Sequence, residues 1–295
     1  MRFIPFFNIQ RSVTTAANSE YQATTSDLSL ILLRSFGFLL LFALTAIAHA
    51  NDEFPGRKLY LGTPYIELKD LRASLDSSVI LDVRSSYEYQ TLHIKDAINT
   101  PIKAKDFISR VRKLQQQNKG KTLVTYCNGK TCMKSYKAAA KCRRSGIENV
   151  TVFDAGILDW ATAYPDKAVL LGKSPIDPSR IISKRDFKAR LLKHDEFIKK
   201  ANGQNVMIID IRDPTQRAGM SLFIGREKRI PLDKQEDMRP LIEQAIKSNK
   251  TIFIYDEAGK QVRWLMYYLQ DIGAKDFYFM DGGMKKYFSS LRSDF

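Results

Sequence analysis

Residues 123–139 read LVTYCNGKTCMKSYKAA: a short apolar and β-branched run, a polar turn bracketed by two cysteines, and a helix-forming stretch. A run of that length that ends in a Gly-containing turn and passes into helical spacing is a strand feeding a helix. Residues 251–269, TIFIYDEAGKQVRWLMYYL, have the same shape, with Asp256 where the first stretch has Cys127. Outward from the first stretch, VILDV (79–83) and VTVFD (150–154) read as further buried strands. AKDFISRVRKLQQQ and MKSYKAAAKCRRSG read as helices, the second stopped by Gly146. Outward from the second stretch, VMIIDIRD (206–213), PLIEQAIKSNK, KQVRWLMYYLQDIG and DFYFMDGG repeat the order strand, helix, strand, helix, strand. Landmarks keep a nearly constant spacing: Asp82 and Asp210 are 128 residues apart, Cys127 and Asp256 129, Gly156 and Gly283 127. The chain is therefore a duplication. Strands alternating with helices imply an α/β fold, each copy a parallel sheet flanked by helices. The copies are expected at 60–170 and 183–295, with a linker at 171–182 that carries Gly, Pro and Ser.

Length agrees with this division, because 295 residues exceed what one core usually holds. The 47 Lys and Arg outnumber the 32 Asp and Glu, a net charge of +15 that suits anionic small molecules, nucleic acid or an anionic membrane surface. No basic run is interleaved with aromatics, and REKR (226–229) is too short to argue for nucleic acid, so no nucleic-acid partner is expected. At the N-terminus, FGFLLLFALTAIA (36–48) follows Arg34 and precedes HAND. Ala48-His49-Ala50 then forms a small-x-small cleavage signature before Asn51, so residues 1–50 are expected to be a signal peptide region, cleaved on export to the periplasm. The alternative is an N-terminal membrane anchor, but 13 apolar residues fall short of a span. The long stretch before the apolar run places the expected start of the protein downstream of Met1.

Chemistry concentrates at the cysteine turn. A parallel strand ending at Tyr126 delivers Cys127 to the carboxyl edge of the sheet, where open α/β folds place their ligands. Asn128, Gly129, Lys130 and Thr131 can curl with their N–H groups inward into an anion-binding nest, and the following helix is expected to start near Met133. Its dipole and Lys130 favour negative charge on Cys127, so a depressed pKa and a nucleophilic thiolate are expected there, at an exposed turn. Such a thiolate can attack a sulfur atom carried on an anion.

These residues resemble the rhodanese-like family of sulfurtransferases, in tandem, over roughly Tyr65 to Tyr287. The resemblance rests on LDVRSSYEYQTLHIKDAINTPI, on the six-residue loop CNGKTC after a strand, and on VFDAGILDW, with IDIRDPTQRAG and FMDGGMKKY in the second copy. It implies two rhodanese-like domains, a persulfide-forming nucleophile at Cys127, and a substrate loop of Asn128, Gly129, Lys130, Thr131 and Cys132. It also implies ping-pong transfer of a sulfane sulfur from a small anionic donor to a thiol or other nucleophilic acceptor, a protein included, with no cofactor. Some positions depart from the family. Asp96 stands where a turn glycine is usual, the second copy has Asp256 where many two-domain members keep the cysteine, and Cys132 stands where related loops often have Arg. Without that guanidinium, thiosulfate does not follow from the resemblance.

The remaining candidates divide by chemistry. A cysteine phosphatase needs an Arg six residues after its nucleophile to clamp phosphate, and position 133 is Met. Cys132 either resolves or protects a persulfide on Cys127, through a disulfide that a five-residue separation allows, or serves as a small residue at the helix start. Cys142 reads as a core thiol. Asp82 and Arg84 can pair with each other or brace the loop, and their recurrence as Asp210 and Arg212 favours structure; His93 is also expected to be structural. No Cys/His spacing suggests a metal. DEAGKQ in the second copy holds Asp256 and Glu257 where an anion would sit, so that copy reads as a scaffold or partner-binding module. Asp256→Cys is not expected to create a second site, because Glu257 would keep a carboxylate in the cradle and the loop lacks the Asn-Gly turn of the first copy. The runner-up function is a non-catalytic secreted redox-sensing or binding protein on the duplicated scaffold.

Overall fold

The computed structural model describes residues 53–217, 221–232 and 234–293. The expected signal peptide and its cleavage site lie outside these residues, and among the described residues no helix is long and apolar enough to cross a membrane. From Gly56 onward the described residues gather into one compact unit that holds both copies.

The first copy contains strands β1 (Ser78–Asp82), β2 (Leu92–Ile94), β3 (Ile98–Asn99), β4 (Thr122–Tyr126), β5 (Val150–Phe153) and β6 (Ala168–Leu170). Its helices are α1 (Pro55–Leu59), α2 (Leu68–Ala73), α3 (Ser86–Thr91), α4 (Phe107–Gln117), α5 (Lys134–Arg144) and α6 (Gly156–Ala163). The main sheet has the order β3-β1-β4-β5 and is parallel throughout, while β2 and β6 pair antiparallel beside it. Every residue of β1 is buried, as a strand covered on both faces requires. Register sets the site: Asp82 lies opposite Tyr126, so the acidic end of β1 and the strand end that precedes Cys127 share one edge. Helix α5 turns Ser135, Tyr136, Ala138, Ala139 and Cys142 inward at helical spacing, which makes Cys142 the core thiol that was expected.

The second copy contains α7 (Lys184–Lys188), α8 (His194–Ala201), α9 (Pro214–Arg217), α10 (Gln235–Lys247), α11 (Val262–Ile272) and α12 (Gly283–Ser293). Its strands are β7 (Leu191–Leu192), β8 (Val206–Asp210), β9 (Glu227–Arg229), β10 (Thr251–Tyr255) and β11 (Phe277–Met280). Their order, β7-β11-β10-β8-β9, repeats the first sheet with one added edge strand, and Asp210 again faces the tyrosine that ends the central strand, Tyr255.

Two local readings change. The helix expected from Pro240 begins at Gln235 and carries Pro240 inside it. Met238, Ile242 and Ala245 are fully buried at helical spacing, so packing on one face overrides the hydrogen bond that proline cannot donate. Helix α3 was not foreseen, although Ser85 and Glu88 form a complete capping box at its start. Asp96 has a φ of 65°, and the corresponding turn of the second copy has Gly225 at 73°. The turn needs the left-handed conformation, which glycine adopts freely and Asp tolerates.

The copies meet where α11 packs against α3. Trp264, in the first turn of α11, places its ring 5.0 Å from the guanidinium of Arg84. Arg84 is thereby sealed from solvent by a residue of the other copy.

Candidate active site

The site is built on a buried ion pair. Arg84 donates from Nε and Nη2 to both carboxylate oxygens of Asp82, at 2.9 and 2.5 Å, and its backbone N–H caps the same carboxylate. The Tyr126 hydroxyl adds a hydrogen bond of 2.6 Å to Asp82. Both charges are fully buried and paired in a fork geometry, the condition under which a buried ion pair is tolerated. The remaining Arg84 nitrogen, Nη1, donates to Asn128 Oδ1 at 3.2 Å. The pair is therefore structural and also braces the loop.

Asn128 passes the connection on, its amide donating to Glu88 Oε1 at 2.8 Å. Glu88 Oε2 takes the Lys134 ammonium at 3.2 Å and the Ser85 N–H and hydroxyl at 3.0 and 2.9 Å. Burial disfavours its charged form, but Lys134, Arg84 and Asn128 outweigh burial and hold the carboxyl at about 2. A chain of polar contacts thus runs from the end of β1 through α3 to the first turn of α5.

Cys127 sits inside this frame with 1% of its surface exposed, not in the exposed turn expected of it. The turn is polar, but the sulfur lies beside the first turn of α5 and the loop backbone is packed against the Gly156 turn. Cys127 and Cys132 are joined as a disulfide with their Cα atoms 6.4 Å apart. The Cys132 N–H closes the loop on the Gly129 carbonyl at 2.8 Å. Ser135 Oγ lies 3.6 Å from the Cys127 sulfur. The Cys127 carbonyl accepts from Ile157 N–H at 3.1 Å, and Gly156, at a φ of 74°, runs so close that a Cβ there would collide with the backbone of Gly129. This contact is the physical reason for the glycine in VFDAGILDW.

The other loop residues divide. Cys132 is half-buried, and Thr131 is exposed. Lys130 pairs with Asp159 at 3.3 Å and the Asn128 side chain is turned to Arg84 and Glu88, so both side chains brace the loop whose backbone N–H groups were expected to form the nest. His93 takes its place in β2, with Nδ1 2.7 Å from the Tyr89 carbonyl and its ring stacked on Tyr89. Burial pushes its pKa down. Glu88 and Ser135 were not singled out in the sequence, whereas Trp264 belongs to the aromatic-rich run VRWLMYYL, which reads as core or interdomain contact and here makes that contact. The Ser85-x-x-Glu88 box was the available signal for Glu88, and the aromatic run was the signal for Trp264.

The second loop keeps the frame and changes its content. Arg212 pairs with Asp210 as Arg84 does with Asp82, at 2.9 Å. The Arg212 Nη1 meets Glu257, the residue after Asp256, at 4.0 Å. Asp256 is buried and fills its own cradle, accepting from the N–H groups of Gly259, of Gln261 at 2.7 Å and of Val262 at 3.4 Å. Burial pushes its carboxyl above the ordinary range, against these N–H groups. The carboxylate in the cradle is thus that of Asp256, and Glu257 points to Arg212, which corrects the reason given for a dead second loop. Among the described residues no cluster of side chains suited to a metal converges.

Comparison with known proteins places this geometry in context. The family described as rhodanese-like domain matches twice, over residues 66–163 and 193–290. The tRNA uridine(34) hydroxylase of Erwinia tasmaniensis is 32% identical over 100 residues, 33% of this chain and 28% of that protein. The protein of the same name from Staphylococcus epidermidis is 35% identical over 99 residues, 32% of this chain and 30% of that protein. The chain therefore matches less than a third of the length of these relatives. Among solved structures, a thiosulfate sulfurtransferase from Pseudomonas aeruginosa is similar at 20% identity with a TM-score of 0.33, covering 76% of this chain and 44% of that one. A rhodanese-like domain from Anabaena is similar at 24% identity with a TM-score of 0.32, over 38% of this chain and 82% of that one.

Proposed function

Because this chain belongs to the rhodanese-like family, of which it carries two domains, we propose that its first domain moves a sulfane sulfur, as a persulfide on Cys127, from a small anionic donor to a nucleophilic acceptor. The observation that carries this reading is the placement of Cys127: at the end of β4, beside the first turn of α5, in a loop braced by Arg84, Asn128 and Glu88. The N-terminal end of a helix favours negative charge on a sulfur beside it. The Ser135 hydroxyl is positioned to donate to that sulfur. In the first half-reaction the thiolate attacks the donor's outer sulfur and the rest of the donor leaves as an anion. In the second, the acceptor attacks the outer sulfur of the persulfide and Cys127 departs as thiolate. No cofactor enters either step. The hydroxylase activity named for the tRNA-modifying relatives stays with those proteins, because the match covers so little of them.

The test is intact-protein mass spectrometry of the reduced chain after exposure to a persulfide donor. A gain of about 32 Da, one sulfur atom, is expected in Cys132→Ser, where no neighbouring thiol can displace the adduct, and none in Cys127→Ser. An equal gain in Cys127→Ser refutes the assignment. The second reading, a redox-sensing or binding protein, is favoured by the loop disulfide and by the filled cradle of the second domain; it requires that Cys127 never accept sulfur. Export to the periplasm belongs to the same proposal. A soluble periplasmic protein beginning at Asn51 is expected, and recovery of the uncleaved chain in washed membranes would favour the anchor.

A further inference from the structure

We propose that Cys132 is a resolving thiol that converts a persulfide on Cys127 into free sulfide, which gives the loop a second outcome besides transfer. The inference rests on the persulfide reading of Cys127. Three observations carry it. The two sulfurs reach bonding contact with their Cα atoms 6.4 Å apart, inside the range that disulfides occupy. The two cysteines differ in access, Cys127 being 1% exposed and Cys132 half-buried. The third thiol cannot compete: Cys142 is fully buried in the core, where burial pushes its pKa up to about 11.

The Cys132 thiol loses its proton to solvent and its thiolate attacks Cys127 Sγ, the inner sulfur of the persulfide. The bond between the two persulfide sulfurs breaks and its electron pair leaves with the outer sulfur as hydrosulfide. The Cys127–Cys132 disulfide forms. The sulfane sulfur is reduced by two electrons and the cysteine pair is oxidised by two. A dithiol reductant resets the loop. Its first thiolate attacks Cys132 Sγ, the accessible end, and expels Cys127 as thiolate beside Ser135 and the start of α5. Its second thiol then releases Cys132 and the reductant leaves as a disulfide. The net activity is dithiol-dependent release of sulfide from a sulfane donor. The second domain has Gln261 where the first has Cys132, so only the first loop can perform it.

The experiment uses the full chain, reduced, freed of reductant and exposed to glutathione persulfide. Wild type is expected to release about one equivalent of sulfide and to end about 2 Da lighter, as the intramolecular disulfide. Cys132→Ser is expected to retain the added sulfur and release none, with Cys132→Ala as a second variant should the first fold poorly. Wild type that holds the extra sulfur while Cys132 stays open to alkylation overturns the resolving role and leaves sulfur loading on Cys127 intact. Failure of Cys132→Ser and Cys132→Ala to gain sulfur overturns the persulfide reading, and the resolving role with it. A mixed disulfide trapped on Cys127 instead of Cys132, when oxidised protein meets a monothiol, overturns the proposed route of reset.

Discussion

The loop at Cys127 and the loop at Asp256 share a frame and differ in what the frame encloses. In each, an Asp-x-Arg pair at the end of a central strand reaches the residue after the key position: Arg84 to Asn128 and Arg212 to Glu257. In each, a glycine passes tightly over the loop, Gly156 or Gly283. At Cys127 the enclosed group is a sulfur that can bond to Cys132, whereas at Asp256 it is a carboxylate already satisfied by backbone N–H groups. One residue decides whether the frame encloses a thiol or a carboxylate. A second difference lies in the first turn of the following helix: Ser135 stays beside the cysteine, while its counterpart Trp264 leaves its own loop and packs on Arg84 of the first domain.

The strongest test of this comparison moves the cysteine. Cys127→Ser is expected to lower sulfur transfer by roughly a thousandfold or more, as loss of a nucleophile does. Adding Asp256→Cys to that variant removes the carboxylate from the second cradle while Glu257 remains with Arg212, so the double variant should again take up sulfur. It should release no sulfide on its own, because Gln261 cannot resolve. No uptake in the double variant would show that more than the carboxylate separates the loops.

The next effect is on stability. Arg84→Ala leaves Asp82 buried without its ion partner, at a cost of about 3–5 kcal/mol, whereas Arg212→Ala leaves Asp210 with Arg217 at 3.9 Å and costs less. The loss at Arg84 should be the larger, because it also unties Asn128 and removes the partner of Trp264. Urea unfolding followed by fluorescence can separate the domains, since the chain has two tryptophans, Trp160 in the first copy and Trp264 in the second. Equal losses would mean that Trp264 adds nothing to the first domain.

Acid should act on the first domain through Glu88. Its folded carboxyl titrates at about 2 against an ordinary 4.5, so its contribution is present above pH 4.5 and is lost as pH falls towards 2. The loss should be on the order of 3 kcal/mol, and Glu88→Gln should flatten the fall in stability across that window. An unchanged slope in Glu88→Gln would remove Glu88 from the account of the loop. The smallest effect is at the paired turns. Asp96→Gly should stabilise the first domain by about 0.5 kcal/mol, by giving the left-handed turn the residue that the second copy keeps at Gly225. A drop in urea midpoint would show that the Asp96 side chain contributes more than its backbone strain costs.

Much of this was legible because its physics is local or periodic. Thr122–Tyr126 and Thr251–Tyr255 read as strands from their runs of apolar and β-branched residues, and the recurring Asp-x-Arg exposed the duplication. The loop itself could be found from a polar turn bracketed by cysteines. The burial of Cys127, the diversion of Asn128 and Lys130 to bracing, and the start of α10 ahead of Pro240 could not, since each depends on a surface brought in from elsewhere in the chain.

By itself the sequence determined two α/β copies, the position of the cysteine at a sheet edge, and the absence of that cysteine from the second copy. These follow from hydrophobic period, from turn chemistry and from residue identity, which every window of the chain carries within itself. Only the tertiary structure decided that Glu88 anchors the loop, that Asp256 occupies its own cradle, and that Trp264 of one domain seals Arg84 of the other. Side-chain direction and burial are set by packing between segments far apart in sequence, and a buried charge or amide bonds with whatever partner that packing brings within reach.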